Sequence, residues 1–270
     1  MDNNNKNNIS NKIFNTIIYI FIGALVLFII SALSMVLIKG LPNLFNALKS
    51  KEIQFSLKLS IYTSIISTVM CIFFAIPISY GLSRFDFKLK HLVNTIIDIP
   101  IALPPLVSGV ALLLLFGNTA FGNMLENLGL NFVFDIKGII LAQFFINIPY
   151  MIRILKSTIS DIDPKIEYVS RTLGCNKIQT FFKITLPLAK SGLTAGIIIT
   201  WARALGEFGA ALMIAGATRM RTETLPISLF LNMSCGNLKY AMASATILII
   251  ISISSLLAFE LIGNKNNYNY

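Results

Sequence analysis

The sequence predicts an all-α integral membrane fold with six transmembrane helices and a cytoplasmic loop between helices 4 and 5. Hydrophobic residues make up 55% of the 270 residues and charged residues only 13%, against about 25% in an ordinary soluble domain. Long apolar stretches recur along the chain, and a helix needs about 20 apolar residues to cross a bilayer core. Lipid therefore solvates most of this chain, and the helices share one core in one domain.

Six stretches are apolar enough to cross the membrane. They cover residues 13–38, 59–83, 92–116, 138–152, 191–216 and 240–259. The first is too long for a cleaved signal peptide, whose apolar region has about 7–15 residues. The fourth is short, and it spans only if the flanking Lys137 and Arg153 extend their charged groups to the interface.

The distribution of lysine and arginine predicts the orientation. With both termini inside, thirteen of these cations fall inside and eight outside, and Arg203 lies within the membrane. Because cytoplasmic loops collect cations, this bias favours a multi-pass protein of the cytoplasmic membrane with cytoplasmic termini. Residues 1–12 and 263–270 are predicted as disordered cytoplasmic tails on either side of a single transmembrane domain, residues 13–262.

The third stretch contains three prolines, Pro100, Pro104 and Pro105. Proline removes a backbone donor and clashes with the preceding helical turn, so this span is not a plain helix. Broken backbone at membrane depth is tolerated where it is buried in protein or lines a wet cavity. Two interpretations stay open: a kink required for packing, or an element that lines a pathway.

The fifth stretch carries two charges, Arg203 and Glu207. On a continuous helix they share one stripe with Thr200, and their spacing of four residues allows them to pair. A lone arginine at mid-membrane costs about 2.5–3.5 kcal/mol on insertion scales, so it faces the bundle interior or a wet cavity. Either the pair neutralises itself and locks helices together, or the stripe borders a translocation pathway.

Small residues in the same stretch are spaced for close helix contact. They are Gly192, Gly196, Gly206 and Ala210. Such four-residue spacing allows two helix backbones to approach closely. The contact is made either with a second chain or within one subunit.

The loop at about residues 157–190 predicts two short amphipathic helices. Asp163 and Pro164 form a helix start, Gly174 a stop, and Asn176 with Gln179 a second capping pair. An amphipathic helix in the cytoplasm lies either on the bilayer or in the groove of a partner. The sequence does not separate these two possibilities.

Several functional classes find no support in the sequence. The chain has no phosphate-binding GxxxxGK[ST] loop, no HExxH and no GxSxG, so no catalytic residues are predicted. One histidine and three scattered cysteines provide no metal site, and no cofactor is expected. No motif for nucleic acid accompanies the net charge of +10. An ion-coupled secondary transporter stays as an alternative class.

Three segments together resemble one family of transporters. The loop reads EYVSRTLG from Glu167 to Gly174 and continues to Leu186-Pro187, which resembles the EAA loop of ABC importer permeases. In place of the Glu-Ala-Ala triplet the chain has Tyr168, Val169 and Ser170. Residues 100–117 and 202–210 resemble the molybdate/tungstate and sulfate branch of type I importers. The resemblance covers about residues 55–262.

This resemblance implies a function and a set of partners. The chain would be the permease subunit of an ATP-binding cassette importer for a tetrahedral oxyanion, molybdate or tungstate, with sulfate as the alternative. It implies a separate ABC ATPase subunit, an extracytoplasmic oxyanion-binding protein and a second permease subunit, as a homodimer surrounded by membrane lipid. The ATPase-coupling residues would be Glu167, Tyr168, Gly174, Phe182, Leu186 and Pro187. The candidates for the pathway or its gate are Thr200, Arg203, Glu207, Pro104 and Pro105, where an arginine favours a dianion.

Overall fold

A computed structural model describes residues 2–267 of the chain, with side chains for residue 12 and residues 14–257. Every regular element in this range is helical. The longer helices are α1 (Asp2–Lys49), α2 (Lys51–Arg84), α3 (Lys90–Ala102), α4 (Pro105–Gly117), α6 (Ile136–Asp161), α10 (Lys190–Leu205) and α13 (Leu238–Asn267). The shorter ones are α5 (Ala120–Asn127), α7 (Pro164–Thr172), α8 (Lys177–Thr180), α9 (Leu186–Leu188), α11 (Gly209–Ala215) and α12 (Leu225–Ser234), with a π-helical turn at Phe181–Thr185.

The predicted all-α membrane fold is confirmed. Four helices are long and apolar enough to cross a membrane: Phe14–Lys49, Lys51–Arg84, Ile136–Asp161 and Leu238–Leu257. Two bent pairs raise the number of spans to six when each pair counts as one. The fourth span, short by sequence, is part of a 26-residue helix that also includes Lys137 and Arg153.

Both ends of the chain extend the first and last spans as helix. Helix α1 begins at Asp2 and α13 continues to Asn267, so neither predicted tail is separated from its span. Once a helix has nucleated, each further residue adds a hydrogen bond at little cost, even for asparagine. Residues 268–270 lie outside the described range.

Helix α1 stands at the side of the bundle. Its apolar window is fully exposed within the subunit, whereas those of α2 and α6 are about half buried. It packs on α13 near its C-terminal end, where Gly40 contacts Met242 and Thr246. The exposed part of α1 is therefore available to lipid or to another chain.

The centre of the bundle is formed by α2, α6 and α10. Helix α6 packs along both of its neighbours, and Cys71 of α2 lies with Met151 and Leu155 of α6 in one buried cluster. A second cluster joins α2 and α6 to α4 and α11. In a membrane such contacts are stabilised by close packing and interhelical hydrogen bonds.

The small residues of the fifth span are used inside the subunit. Gly192 contacts Thr158, and Gly196 contacts the Met151 side chain, both on α6. Ala210 contacts Gly109 of α4. The interpretation of this spacing as a contact with a second chain is therefore wrong for these three residues, because the neighbouring helix of the same subunit already occupies the close approach.

Spans three and five are both broken near their middle. Helices α3 and α4 meet at Leu103 and Pro104 with a bend of 111°. Helix α10 ends at Leu205, and α11 begins only at Gly209. We call these two interruptions, residues 103–105 and 206–208, the central breaks.

The two central breaks pack against each other. An added Cβ at Gly209 would lie 3.0 Å from the Pro105 side chain. One at Gly109 would lie 2.7 Å from the Ala210 backbone. Only glycine allows this approach, so the positions of the two breaks are coupled.

Candidate functional site

Arg203 is exposed within the subunit although it lies midway along the apolar stretch 191–216. Its guanidinium carbon lies 3.8 Å from the centre of the Tyr150 ring on α6. None of the ion pairs between described side chains involves Arg203. The aromatic face stabilises the cation without consuming its N–H donors. Arg203 is thus held in position with donors free for an anion.

Glu207 forms no ion pair with Arg203 among the described side chains. It is buried, and its Oε1 accepts a hydrogen bond of 2.9 Å from the backbone N–H of Ala210. The carboxylate thereby satisfies a backbone donor at the start of α11. The predicted Arg203–Glu207 pair is wrong, because α10 ends at Leu205 and the four-residue spacing no longer places the two side chains on one helix face.

Thr200 does not share a surface with Arg203. It is fully buried, and its hydroxyl lies 3.7 Å from the sulfur of Met151. The predicted stripe is therefore divided between the packed interior and the exposed face. Pro104 and Pro105 are exposed at the bend of span three, beside the second central break.

An apolar hollow of about 400 Å³ borders the break in span five. Its lining residues are Gly206, Phe208, Pro226, Leu229, Phe230, Met233 and Leu248. The exposed Gly206 thus has open space beside it rather than a packed helix.

Gln143 supports the end of α10 and was not predicted. Its Nε2 donates to the carbonyl oxygen of Ala204 at 2.8 Å and to the hydroxyl oxygen of Thr63 at 3.2 Å. Since a broken helix leaves carbonyls without partners, this buried amide holds the break in place. An amide in a charge-free span was the available signal, because polar residues in a membrane usually have a function.

Two polar contacts between side chains join helix α3 to α6. Arg153 donates to Asp98 at 2.9 Å, and Lys156 donates to Asn94 at 2.7 Å. Arg153 follows Tyr150 by three residues, so the ring that holds Arg203 and this ion pair lie on neighbouring parts of one α6 face. Arg203 and Arg153 thus lie beside this face, and of these two arginines only Arg153 pairs with a carboxylate of the described residues.

The loop between spans four and five has the predicted architecture. Asp163 caps α7 through the N–H of Lys165 at 2.9 Å, and Asn176 and Gln179 form the reciprocal capping box of α8. Gly174 lies between these helices with φ of +96°. The prediction of two short helices that meet at Gly174 is confirmed.

One side of this loop is a solvent-exposed apolar surface. The side chain of Leu173 is 81% exposed and that of Ile178 is 70% exposed. This surface, which we call the docking surface, comprises Tyr168, Val169, Leu173, Ile178 and Phe182. Beside it lies a hollow of about 540 Å³ lined by Tyr168, Arg171, Thr172, Cys175, Asn176 and Lys177. Leu186 and Pro187 follow the π-helical turn, with Pro187 exposed.

Glu167 lies on the opposite, buried side of α7. Its carboxylate accepts from Arg84 at 2.8 Å, from Thr185 at 2.9 Å and from Tyr80 at 3.3 Å. Only 8% of the residue is exposed. The structure therefore separates Glu167 from Tyr168 and Phe182, which lie on the docking surface.

Comparison with known proteins gives a consistent result. Residues 71–263 match the family described as binding-protein-dependent transport system inner membrane component. The molybdate/tungstate transport system permease protein WtpB of Methanocaldococcus jannaschii is 31% identical over 96% of this chain and 97% of its own. The molybdenum transport system permease protein ModB of Mycobacterium tuberculosis is 34% identical over 70% of this chain and 72% of its own. The sulfate transport system permease protein CysW of Synechococcus elongatus is 32% identical over 70% and 66%.

Solved structures share the fold at lower identity. A bacterial alginate ABC transporter in complex with an alginate-bound periplasmic protein superposes with a TM-score of 0.71, at 16% identity, over 96% of this chain and 95% of the other. The MetNI methionine ABC transporter gives a TM-score of 0.58 at 18% identity, over 80% and 98%. The chain belongs to the family of binding-protein-dependent transport system inner membrane components, and it is the membrane-embedded permease subunit of an ATP-binding cassette importer.

Proposed function

We propose that this permease forms the translocation pathway for a tetrahedral oxyanion dianion, molybdate or tungstate. Arg203 is the observation that carries the proposal. A cation midway along an apolar span does not face lipid, yet the subunit leaves this one exposed. Its exposed face therefore borders a wet pathway, where free N–H donors stabilise a passing anion.

The relatives supply the choice of anion. WtpB and ModB are named for molybdate, tungstate or molybdenum transport. Sulfate is the second candidate, because CysW is similar over a comparable length. All three anions are doubly charged tetrahedra, so one arginine does not distinguish them. Selection would then fall to the extracytoplasmic oxyanion-binding protein.

Two partners follow from the arrangement of the subunit. The docking surface is apolar, exposed and rigidly capped, which suits an ABC ATPase subunit that receives these short helices in a groove. A second permease subunit, as a homodimer, would close the pathway on the exposed side of Arg203. ATP hydrolysis would occur in the separate ATPase.

Uptake by reconstituted vesicles tests this function. The permease is purified with its co-purifying ATPase and binding protein, and uptake of labelled molybdate, tungstate and sulfate is compared with and without ATP. We expect vanadate-sensitive uptake of molybdate or tungstate in preference to sulfate. Preferred uptake of sulfate would reassign the substrate. Uptake that does not depend on ATP and is not inhibited by vanadate would refute the proposed coupling of transport to ATP hydrolysis.

The proposed orientation places both termini and the docking surface in the cytoplasm. The native cysteines test it without substitutions, because Cys235 is exposed, Cys175 half-buried and Cys71 buried. A membrane-impermeant maleimide should label Cys235 in intact cells and Cys175 only after permeabilisation. The reverse labelling pattern would show that the topology is inverted. Labelling from the outside of a cysteine introduced at position 6 would show the same.

A further inference from the structure

The carboxylate of Glu167 joins three separate segments of the chain. Arg84 and Tyr80 reach it from the end of α2, at 2.8 and 3.3 Å. Thr185 reaches it from the π-helical turn at 2.9 Å. Glu167 itself belongs to α7. Tyr80 and Arg84 precede Glu167 by 87 and 83 positions in sequence, so the carboxylate makes a tertiary contact between α2 and the loop.

Arg84 binds the loop at two points. Its Nε donates to Glu167, and its Nη2 donates to the carbonyl oxygen of Ile162 at 2.9 Å. Ile162 is the C-cap residue of α6 and Glu167 lies in α7, so the guanidinium binds on both sides of the α6–α7 connection. A planar guanidinium fixes direction as well as distance when it makes two such bonds.

The loop itself is a stiff body. The hydroxyls of Ser170 and Thr180 lie 2.9 Å apart and join α7 to the end of α8. Ser170 and Glu167 are three residues apart, on the side of α7 that faces away from the docking surface. A displacement of the docking surface therefore moves Glu167 and its hydrogen-bond partners, because the loop does not bend.

We propose that the Arg84–Glu167 ion pair is the link that transmits movement of the docking surface to α2. Glu167 is then a positioning residue that acts within the subunit, and the ATPase contact itself is made by its exposed neighbours. Helix α2 packs along α6 and α10, so its movement reaches the end of α10 that carries Arg203. This inference rests on the proposed docking of an ATPase to the loop.

The energetic case depends on burial. The Arg84 and Glu167 side chains are 9% and 10% exposed, so solvent screens the pair little. Removing one charge leaves the other buried without its counter-charge, which weakens the connection far more than loss of a surface pair would. Glu167→Gln keeps the shape and the acceptor oxygen for Thr185, removes the charge, and places an NH2 group where the second oxygen accepts from Tyr80.

The experiment compares transport with ATP use in assembled complexes. For Glu167→Gln we expect the ATPase to co-purify and to hydrolyse ATP, whereas anion uptake per ATP falls by about tenfold or more. Arg84→Met should give the same uncoupled behaviour. Asp161→Asn and Lys88→Met, which change exposed charges near the pair, serve as matched controls and should leave uptake per ATP unchanged.

Two further variants distinguish a loss of coupling from a folding defect. Thr185→Val removes one donor to the carboxylate without changing charge, and it should lower uptake per ATP in the same direction by a smaller factor. The charge-reversed double variant Arg84→Glu with Glu167→Arg should recover part of the coupling lost in either single variant. A purely structural role would lower the yield of complex and leave uptake per ATP intact in the complex that remains.

The outcomes distinguish this inference from the proposed function. Unchanged uptake per ATP in Glu167→Gln and Thr185→Val, in a background where wild type transports, would overturn the link. Loss of ATPase binding in well-folded Glu167→Gln would also overturn it, because the carboxylate would then be a docking contact. Failure of wild type itself to couple ATP to uptake would instead refute the proposed function.

Discussion

The loop between spans four and five and the central breaks place their charged side chains in opposite environments. At the loop between spans four and five, Glu167 is buried and receives three side-chain donors, one of them the guanidinium of Arg84. At the central breaks, Arg203 is exposed and rests on an aromatic ring, while Glu207 binds a backbone N–H. The first region uses its charges to hold segments together, and in the second no carboxylate of the described residues forms an ion pair with Arg203.

This difference distinguishes charged side chains that hold the structure together from those that are available to bind a ligand. A carboxylate that already accepts three hydrogen bonds has little left for a ligand, whereas a guanidinium on a ring keeps its donors. The membrane sharpens the contrast, because an unpaired cation there is costly unless water or a ligand reaches it. We therefore expect substitutions at the central breaks to affect transport and those at the loop to affect coupling.

Removal of the Arg203 cation should have the largest effect. Arg203→Met keeps a long apolar side chain beside Tyr150, and anion uptake should fall by about 10–100-fold, since a hydrogen bond to a charged group contributes about 1.5–3 kcal/mol. Uptake by vesicles checks this result, with the amount of assembled complex measured in parallel. Arg203→Lys should retain an intermediate rate because it keeps the charge. Wild-type uptake by Arg203→Met would end the pathway assignment.

A double substitution tests whether Arg203 and Glu207 act independently. If they formed a pair, Arg203→Met with Glu207→Gln would leave no unpaired charge, and function would recover. The structure gives them different partners, so the double variant should stay as defective as Arg203→Met alone. The complete double-mutant cycle measures how strongly the two charges are coupled. Full recovery would show that the two charges pair during transport.

The packing between the central breaks should be sensitive to one added methyl group. In Gly109→Ala the new Cβ would lie 2.7 Å from the Ala210 backbone, and overpacking of this kind costs about 1–3 kcal/mol. We expect a lower thermal midpoint in detergent and reduced uptake. In Gly117→Ala on the same helix the new Cβ meets only two side chains, at 3.5 and 3.9 Å, so this substitution should change neither stability nor uptake. Equal stability of the two variants would mean that the breaks move apart easily.

The regular parts of this fold follow from local sequence. Composition and apolar length identify the spans, and the capping residues Asp163, Asn176 and Gln179 together with Gly174 define the loop helices. These signals are local, because a cap or a proline acts within one turn of its own position. The proline break in span three was predicted for the same reason.

The errors concern interactions that are not local. No proline marks the break of span five at Gly206. The sequence therefore predicted a continuous helix there, and ideal helical spacing predicted an Arg203–Glu207 pair. The Arg84–Glu167 bond joins residues 83 positions apart, and no local pattern in one sequence pairs them. Thr200 was placed on the pathway for the same reason, since the rotation of a helix is set by its neighbours.

The smallest expected effect concerns Gly174, whose backbone has φ of +96°. A residue with a side chain is strained in this region by about 1–2 kcal/mol. No atom lies within 4 Å of the position of an added Cβ, so Gly174→Val adds strain and no collision. We expect normal membrane insertion and weaker ATPase association, by about 5–30-fold, because the loop would relax away from the angle that aligns α7 with α8. Co-purification at graded ATPase concentrations measures this change.

Gly129 offers a matched control for that substitution. It has φ of +79° and likewise no atom within 4 Å of an added Cβ, but it lies in the segment between spans three and four, outside the loop. Gly129→Val should therefore carry a similar backbone strain and leave ATPase association unchanged. If both variants weaken the association equally, general destabilisation explains the effect. If neither does, the angle at Gly174 does not set the docking surface, and the stiffness of the loop resides in the Ser170–Thr180 and Arg84–Glu167 contacts alone.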